Sequence, residues 1–265
     1  MKNLARKSAL YLRMIKFSHS VFALPFALTS AFIAAQGVPT GRTLLWIVAA
    51  MVSARTTAMG LNRIIDKNID RENPRTEGRE LPAGRITVKE TWLFVGIAAV
   101  IFVFSAYMLN PLCFRLSPVA MFFIVLYSFT KRFTWASHFF LGITISGAPL
   151  GAWIAVTGGF DPRAFLLGFA VVFWLAGFDI LYAFQDVEFD TSYGLYSLPK
   201  RFGIVRSLWI SRTCHFFTWI LLLFSGVLFR MAIPFYIGIA VTALLLLYEH
   251  SLVRPGDLSK LNKAF

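Results

Sequence analysis

Eight long apolar stretches constrain the fold of this chain more than any other feature of its sequence. A helix needs about 20 mostly apolar residues to cross a bilayer, and each stretch comes close to that length. They cover residues 20–37, 43–64, 91–109, 113–130, 135–157, 164–185, 207–228 and 232–250. Because 57% of the residues are hydrophobic and 15% are charged, one soluble core would not bury this much apolar surface. The sequence predicts an all-α, polytopic transmembrane helical bundle that forms a single domain over residues 1–265.

The positions of Lys and Arg predict how the bundle is oriented. With the N-terminus in the cytoplasm, the cytoplasmic side carries 19 of the 26 basic residues and the opposite side carries four. This asymmetry follows the positive-inside rule and places both termini and the two longest loops, 65–90 and 186–206, in the cytoplasm. The net charge of +13 flanks apolar stretches instead of forming a basic face, so we expect no nucleic-acid partner. Two distant cysteines, Cys113 and Cys214, predict neither a disulfide nor a thiolate metal site.

Two series of polar residues stand at the ends of the second and sixth predicted spans. They comprise Asn62, Asp66 and Asp70 within LNRIIDKNID, and Asp179, Asp186 and Asp190 within FDILYAFQDVEFD. Spacings of four and seven residues place each series on one face of a continuous helix. Like charges at this spacing destabilise a helix, and carboxylates beside lipid cost more still. We therefore interpret both series as binding sites for cations.

The ligand types favour Mg²⁺ and a phosphate. All the candidate ligands are oxygens and no His or Cys lies near them, which disfavours zinc. Mg²⁺ typically binds through one or two carboxylates together with substrate phosphates. Basic residues suited to phosphate lie around the same span ends, namely Arg71, Arg75, Arg79, Arg85, Lys131, Lys200 and Arg201. This combination at the end of an apolar bundle predicts a ligand with a diphosphate head and a hydrocarbon tail.

Four polar residues within or next to apolar stretches need separate interpretation. His19, His138 and His215 are isolated on apolar helices, and we interpret them as hydrogen-bonded packing residues. Arg55 lies seven residues before Asn62, about 10 Å at helical rise, and a buried arginine needs a partner inside the bundle. That partner is either the carboxylate of a substrate or a structural group such as a backbone carbonyl.

Two long motifs resemble those of the UbiA superfamily of intramembrane prenyltransferases. They are ARTTAMGLNRIIDKNIDRENPRTEGRELPAGRIT at 54–87 and DILYAFQDVEFDTSYGLYSLPKRFG at 179–203. The first is similar to the family's NxxxDxxxD motif with its downstream R-T…R-x-L-P-x-G signature, and the second to its D-x-x-Y-A-x-x-D-x-x-x-D motif. Similarity extends from 16–26 to 248–259. Within the superfamily the chain resembles bacterial 4-hydroxybenzoate polyprenyltransferases and their menaquinone-pathway relatives, which prenylate a dihydroxynaphthoate.

The resemblance implies an Mg²⁺-dependent enzyme that transfers a polyprenyl group from polyprenyl diphosphate to an aromatic carboxylic acid. The catalytic residues that it implies are Asp66, Asp70, Asp179, Asp186 and Asp190. The Mg²⁺ and diphosphate ligands that it implies are Asn62, Asp66, Asp70, Asp186 and Asp190. Further substrate contacts fall on Arg75, Arg79 and Lys131 for phosphate, Arg55 for the aromatic carboxylate, and Tyr127 and Tyr182 as lining residues. Asp179 is the candidate acceptor of the released proton.

Some features leave alternatives open. The family usually has nine spans, whereas eight are visible in this sequence. The resemblance therefore implies one span more than the sequence shows. Tyr196 stands where some 4-hydroxybenzoate enzymes carry lysine, which favours the menaquinone relatives. Homogentisate, a porphyrin or a lipid phosphate are alternative acceptors, and a cation-coupled transporter is the alternative outside the enzyme class. A transporter predicts acids near the midplane of broken spans, whereas these acids lie at one side. The expected partners are the two substrates and the lipid bilayer of the cell (inner) membrane, with no protein partner inferred.

Overall fold

The computed structural model describes residues 2–16 and 24–263, and this part of the chain is helical. The helices are α1 (Lys2–Met14), α2 (Leu24–Ala35), α3 (Gly41–Ile65), α4 (Lys67–Glu72), α5 (Val88–Leu109), α6 (Pro111–Thr130), α7 (Ser137–Thr157), α8 (Ala164–Tyr182), α9 (Val187–Tyr193), α10 (Leu198–Leu228) and α11 (Ile233–Leu252). Short 3-10 helices occupy Ala183–Asp186 and Leu261–Lys263. The only β-type pairing among the described residues is a single bridge between Arg254 and Asp257.

Seven segments within the described ranges are long and apolar enough to cross a membrane. They are α3, α5, α6, α7, α8 together with α9, α10 and α11. The predicted all-α transmembrane class is confirmed. The first predicted span, 20–37, corresponds to α2, which has 12 described residues. Residues 20–23 of that span and His19 lie outside the described residues, so the count of eight spans stays a prediction.

Local capping groups explain where several helices begin. The Thr87 hydroxyl accepts the Glu90 backbone N–H, and the Glu90 carboxylate accepts the Thr87 backbone N–H. This reciprocal arrangement satisfies two donors that the start of α5 would otherwise leave unpaired. Asn110, in extended conformation between α5 and α6, accepts the Cys113 N–H through its side-chain oxygen at 2.9 Å. The predicted separation of the stretches 91–109 and 113–130 thus falls at Asn110.

The two longest loops contain more helix than the sequence predicted. Loop 65–90 includes α4, and loop 186–206 includes α9 and the start of α10. The helix that carries the predicted span 207–228 therefore starts earlier, since α10 begins at Leu198. Its first turn is capped by the Ser197 hydroxyl, and Gly203 interrupts it with φ 78° and ψ 165°. A left-handed φ of this kind favours glycine, so the kink falls where the sequence permits it.

The chain divides into two compact units. The first contains residues 1–129 and 151–160, and the second contains 130–150 and 161–265. In the first unit α3 packs on α5, and a side chain at Gly60 would clash with Val95. Leu61, Val95 and Ile124 form a buried cluster there. Close approach at a small residue is the usual way in which membrane helices pack, because burial from water does not drive their association.

In the second unit the closest pairing joins α8 to α10. The hydroxyl of Ser211 on α10 donates to the Gly177 carbonyl on α8 at 2.8 Å. Ile180 and Leu181 of α8 are fully buried in a cluster that also contains Leu208. These contacts fix the last turn of α8, which carries Asp179.

Candidate active site

The first polar series lies in the first unit, at a junction between two helices. The helix α3 ends at Ile65, and Asp66 has φ −92° and ψ 4° before α4 begins at Lys67. The assumption that one continuous helix carries Asn62, Asp66 and Asp70 is therefore wrong. The backbone N–H of Asp66 nevertheless donates to Asn62 O at 2.9 Å, and that of Asp70 donates to Asp66 O at 2.7 Å. The junction is tight enough to keep consecutive members of the series one turn apart.

Side-chain contacts bring this series together with two arginines. The Asn62 amide donates to Asp66 Oδ2 at 3.0 Å. Arg79 donates to Asp70 Oδ1 at 2.7 Å, and the Arg63 guanidinium lies 3.8 Å from Asp70 Oδ2. Asp66, Asp70 and Arg63 are all buried. The negative charge of Asp70 is thus compensated in part by arginines, and its binding of a cation stays a prediction.

The loop after α4 explains how Arg79 reaches Asp70. The Thr76 hydroxyl donates to the backbone carbonyl of Asp70 at 2.9 Å and folds the loop back on α4. The backbone N–H of Arg79 then donates to Thr76 O at 3.0 Å, which carries the guanidinium toward the carboxylate. Arg75 is exposed on the same loop, and its backbone N–H donates to the Asn73 side chain at 2.9 Å. Arg75 and Thr76 of the first motif therefore help to fix the conformation of this loop.

Arg55 lies on α3, two turns before Asn62, and its guanidinium is incompletely paired. Its Nε is buried and has no hydrogen-bond partner in the described part of the chain. The Tyr127 phenol on α6 lies within electrostatic reach of both Arg55 and Arg63. Tyr127, which the resemblance implies as a lining residue, thus lies near Arg55, which it implies for the aromatic carboxylate. A guanidinium with a buried, unused donor is suited to bind an anion.

The second polar series lies in the second unit and is also interrupted. The helix α8 ends at Tyr182, a 3-10 turn follows, and Asp186 has φ −112° and ψ 4° before α9. A single α-helical face through Asp179, Asp186 and Asp190 is therefore wrong. The middle aspartates of the two series, Asp66 and Asp186, occupy the same kind of junction between a long helix and a short one. The two series, which both follow a predicted span, therefore also share this local backbone conformation.

Asp190 is held by residues from the start of α10. The Ser197 side chain hydrogen-bonds to the Asp190 carboxylate, and Lys131 lies within electrostatic reach. Lys200 is engaged in a structural role, since its ammonium donates to the backbone carbonyls of Asp190 at 3.1 Å and Leu195 at 2.6 Å. Lys200, which the sequence predicted among the basic residues suited to phosphate, therefore caps the C-terminal end of α9.

Asp179 is paired with a histidine that the sequence did not assign to the site. His138 Nδ1 lies 2.7 Å from Asp179 Oδ2, and the backbone N–H of Leu198 donates to His138 Nε2 at 3.3 Å. The interpretation of His138 as a hydrogen-bonded residue is correct. The expectation that this histidine is isolated is wrong, because it contacts Asp179 and Leu198. The statement that no histidine lies near the carboxylates is wrong at Asp179. Tyr182 lies half-buried one turn further along α8.

The residues that sequence reasoning missed are Arg63, His138 and Ser197. Arg63 stands inside the first motif, seven residues before Asp70, so its spacing was a usable signal. Ser197 precedes Pro199 and marks a helix start, which indicates an N-cap but no contact with Asp190. His138 lies 41 residues from Asp179, and nothing local in the sequence joins them.

The donor set fits Mg²⁺ only with help from a substrate. Among the described residues, no three His, Cys, Asp or Glu side chains are grouped so as to hold a metal ion by themselves. Asp70 Oδ2 is buried without a hydrogen bond, and the other two members of the first series, Asn62 and Asp66, also carry side-chain oxygens. Mg²⁺ prefers oxygen ligands and commonly takes the remainder from phosphate and water. The residues present therefore fit an Mg²⁺ ion that arrives with a diphosphate.

Long apolar helices, with buried carboxylates and arginines at the end of one of them, are typical of an integral membrane protein. The chain matches the model of the UbiA prenyltransferase family over residues 23–265 and belongs to that family. It is 31% identical over 271 residues to the 4-hydroxybenzoate octaprenyltransferase of Methylobacillus flagellatus. This alignment covers 100% of this chain and 91% of the relative. The predictions of the family and of a prenyltransferase enzyme are confirmed.

Solved structures share the fold. The apo structure of a UbiA homologue from Aeropyrum pernix K1 matches with a TM-score of 0.87 at 29% identity, covering 93% of this chain and 92% of the homologue. A UbiA homologue from Archaeoglobus fulgidus bound to DMAPP and Mg²⁺ matches with a TM-score of 0.71 at 21% identity, covering 96% and 94%. These matches establish the architecture, and the roles of individual residues in this chain stay predictions.

Proposed function

We propose that this prenyltransferase transfers a polyprenyl group from a polyprenyl diphosphate to a ring carbon of an aromatic carboxylic acid in quinone biosynthesis. The acceptor is 4-hydroxybenzoate or a dihydroxynaphthoate. The observation that carries the acceptor class is Arg55, whose buried Nε has no hydrogen-bond partner in the described residues. A guanidinium forms forked hydrogen bonds with a carboxylate, and a buried one needs such a partner. The name of the Methylobacillus relative, a 4-hydroxybenzoate octaprenyltransferase, supports the same class.

Each polar series offers oxygen ligands for the Mg²⁺ that accompanies the diphosphate. We assign Mg²⁺ ligation to Asn62, Asp66 and Asp70 in the first unit and to Asp186 and Asp190 in the second. The Archaeoglobus homologue bound to DMAPP and Mg²⁺ supports this assignment. When bound, Mg²⁺ neutralises the negative charge that develops on the diphosphate as its bond to the allylic carbon breaks.

The remaining residues orient the substrates and manage the proton. Phosphate oxygens are contacted by Arg75, Arg79 and Lys131. To reach phosphate, Arg79 gives up part of its pairing with the Asp70 carboxylate. Tyr127 and Tyr182 are substrate-binding residues, whose aromatic faces stabilise the developing allylic cation. Asp179 accepts the proton released from the acceptor ring.

The setting of the reaction follows from topology. We propose that residues 1–265 form one transmembrane domain in the cell (inner) membrane, with both termini and both polar series on the cytoplasmic side, as the Lys/Arg asymmetry predicts. The lipid bilayer and the two substrates are its partners. The hydrocarbon tail of the prenyl donor then stays in the apolar bundle while its diphosphate faces the side where the basic residues lie.

An acceptor panel tests the proposal. Purified protein in detergent or lipid receives radiolabelled farnesyl diphosphate, Mg²⁺ and, separately, 4-hydroxybenzoate, 1,4-dihydroxy-6-naphthoate or homogentisate. We expect product with an aromatic acid that carries its carboxylate on the ring, lost in Asp66→Ala and Asp186→Ala. Folded protein that binds the diphosphate but prenylates none of these acids would contradict the proposed acceptor class.

A matched pair of arginine variants tests Arg55. Arg55→Ala raises the KM for the aromatic acid about 30-fold or more, because removing one partner of a buried charge pair costs about 2–5 kcal/mol. The KM for the prenyl diphosphate stays unchanged. Arg212, whose guanidinium stacks 5.1 Å above the Trp209 ring in another span, supplies the control Arg212→Ala. An equal KM for the aromatic acid in Arg55→Ala and Arg212→Ala would contradict the proposal that Arg55 binds the carboxylate of the acceptor.

A further inference from the structure

His138 and Asp179 form a short hydrogen bond between two helices of the second unit. His138 lies in the first turn of α7 and Asp179 in the last turn of α8, with 2.7 Å between Nδ1 and Oδ2. The His138 side chain is 4% exposed, whereas the Asp179 side chain is 28% exposed. The carboxylate is therefore supported from the interior and is accessible from its other side.

The third partner fixes which nitrogen of His138 carries the proton. A backbone N–H only donates, and the N–H of Leu198 points at Nε2 from 3.3 Å. Nε2 must therefore be the acceptor nitrogen of a neutral ring, so Nδ1 carries the hydrogen and donates it to Asp179. Leu198 is the first residue of α10, and its N–H is one of the donors that a helix start leaves unpaired. The start of α10 thus sets the tautomer of His138.

Close packing of α7 and α8 sets the distance between the two residues. Gly142 lies one turn after His138, and a Cβ atom there would stand 2.5 Å from the backbone oxygen of Val172. Val172 lies seven residues, about two turns, before Asp179 on α8. The backbones of the two helices therefore approach closely at Gly142, one turn from the histidine. This close approach leaves His138 little freedom to move away from the Asp179 carboxylate.

We propose that His138 is a positioning residue for Asp179, an inference that rests on the proposed function. In the reaction a ring carbon of the acceptor bonds to the allylic carbon, and the bond between that carbon and the diphosphate oxygen breaks with its electron pair remaining on the diphosphate. The hydrogen on the substituted ring carbon then passes as a proton to Asp179. His138 holds Oδ2 and stays a neutral donor throughout, so the other carboxylate oxygen keeps one orientation toward the acceptor.

Two amide substitutions separate positioning from packing. The amide of His138→Asn reaches only as far as Nδ1 and keeps a donor for Asp179. The amide of His138→Gln reaches as far as Nε2 and keeps an acceptor for the Leu198 N–H. We expect His138→Gln to lower kcat about 10–100-fold, the range found when the partner that orients a functional group is lost. We expect His138→Asn to recover most of that activity, with the KM for farnesyl diphosphate unchanged in both.

The measurements are kcat and KM for both substrates, with the unfolding temperature and farnesyl diphosphate binding of each variant as folding controls. Wild-type kcat in His138→Gln overturns the inference. So does a higher kcat in His138→Gln than in His138→Asn, which would mean that support of α10, and not of Asp179, is what matters. A wild-type protein that prenylates no acceptor overturns the proposed function, and this inference with it, before any variant is compared.

Discussion

Replacing Gly142 by alanine tests the close packing of α7 and α8 quantitatively. The added Cβ would lie 2.5 Å from Val172 O, whereas ordinary contact begins at 3.4 Å, so the helices must separate locally by about 0.9 Å. The nearest backbone atoms cannot rotate away as a side chain would. Overpacking of this kind costs about 1–3 kcal/mol in the free energy of unfolding. The same displacement stretches the 2.7 Å bond between His138 and Asp179 to about 3.6 Å, beyond hydrogen-bonding range.

The assay is thermal unfolding in detergent together with kcat for prenyl transfer. Gly142→Ala should unfold at a lower temperature than the wild type and should lose activity by a factor close to that of His138→Gln. Gly147→Ala on the same helix is the control, since an added Cβ there meets nothing within 4 Å. Equal unfolding temperatures for the two glycine variants would refute the packing argument. A destabilised but fully active Gly142→Ala would refute its link to Asp179.

Three further predictions concern metal and helix ends. Chelation of divalent ions should abolish prenyl transfer and Mg²⁺ should restore it; transfer that persists in excess chelator would contradict metal dependence. Thr87→Ala removes the cap of α5 and should lower the free energy of unfolding by about 1 kcal/mol, whereas Thr87→Ser should retain most of it; this is checked by thermal unfolding. Asn110→Ala removes the bond to Ile154 O at 2.8 Å and the cap of α6, and should cost about 1–3 kcal/mol by the same measurement, with unchanged stability as the contrary result.

The transmembrane class was predictable because it depends on the lengths of apolar stretches. Those lengths are local properties, and the bilayer thickness converts each of them directly into a helix. The positions of five of the seven candidate spans agree with the sequence prediction to within a few residues. The exceptions are the span of α8, which continues through α9 to Tyr193, and α10, which begins at Leu198 because Ser197 caps it there and Gly203 accommodates a kink within it.

The contacts of the site were only partly predictable. Members of the first series are one turn apart, so their proximity followed from spacing alone, as did the placement of Arg55 two turns before Asn62. The helix breaks at Asp66 and Asp186 carry no glycine or proline, so no local residue preference revealed them. The bond from His138 to Asp179 depends on how two helices pack, which periodicity does not specify.

Charge compensation was the second point that sequence alone did not settle. Carboxylates near lipid require a positive partner, and the sequence argument assigned that partner to a bound ion. At Asp70 the partners are Arg79 and Arg63, whose guanidinium groups stand 2.7 Å and 3.8 Å from the carboxylate. A buried carboxylate in an arginine-rich motif therefore has two sources of compensation, and geometry decides between them.

Identification of the reaction products tests the central claim most directly. Purified protein is incubated with farnesyl diphosphate, Mg²⁺ and 4-hydroxybenzoate or 1,4-dihydroxy-6-naphthoate, and the products are analysed by mass spectrometry with parallel quantification of inorganic diphosphate. The account predicts an acid bearing the prenyl group on a ring carbon, with one diphosphate released per product. Farnesol and diphosphate without a prenylated acid, or a prenyl group attached through oxygen, would contradict it.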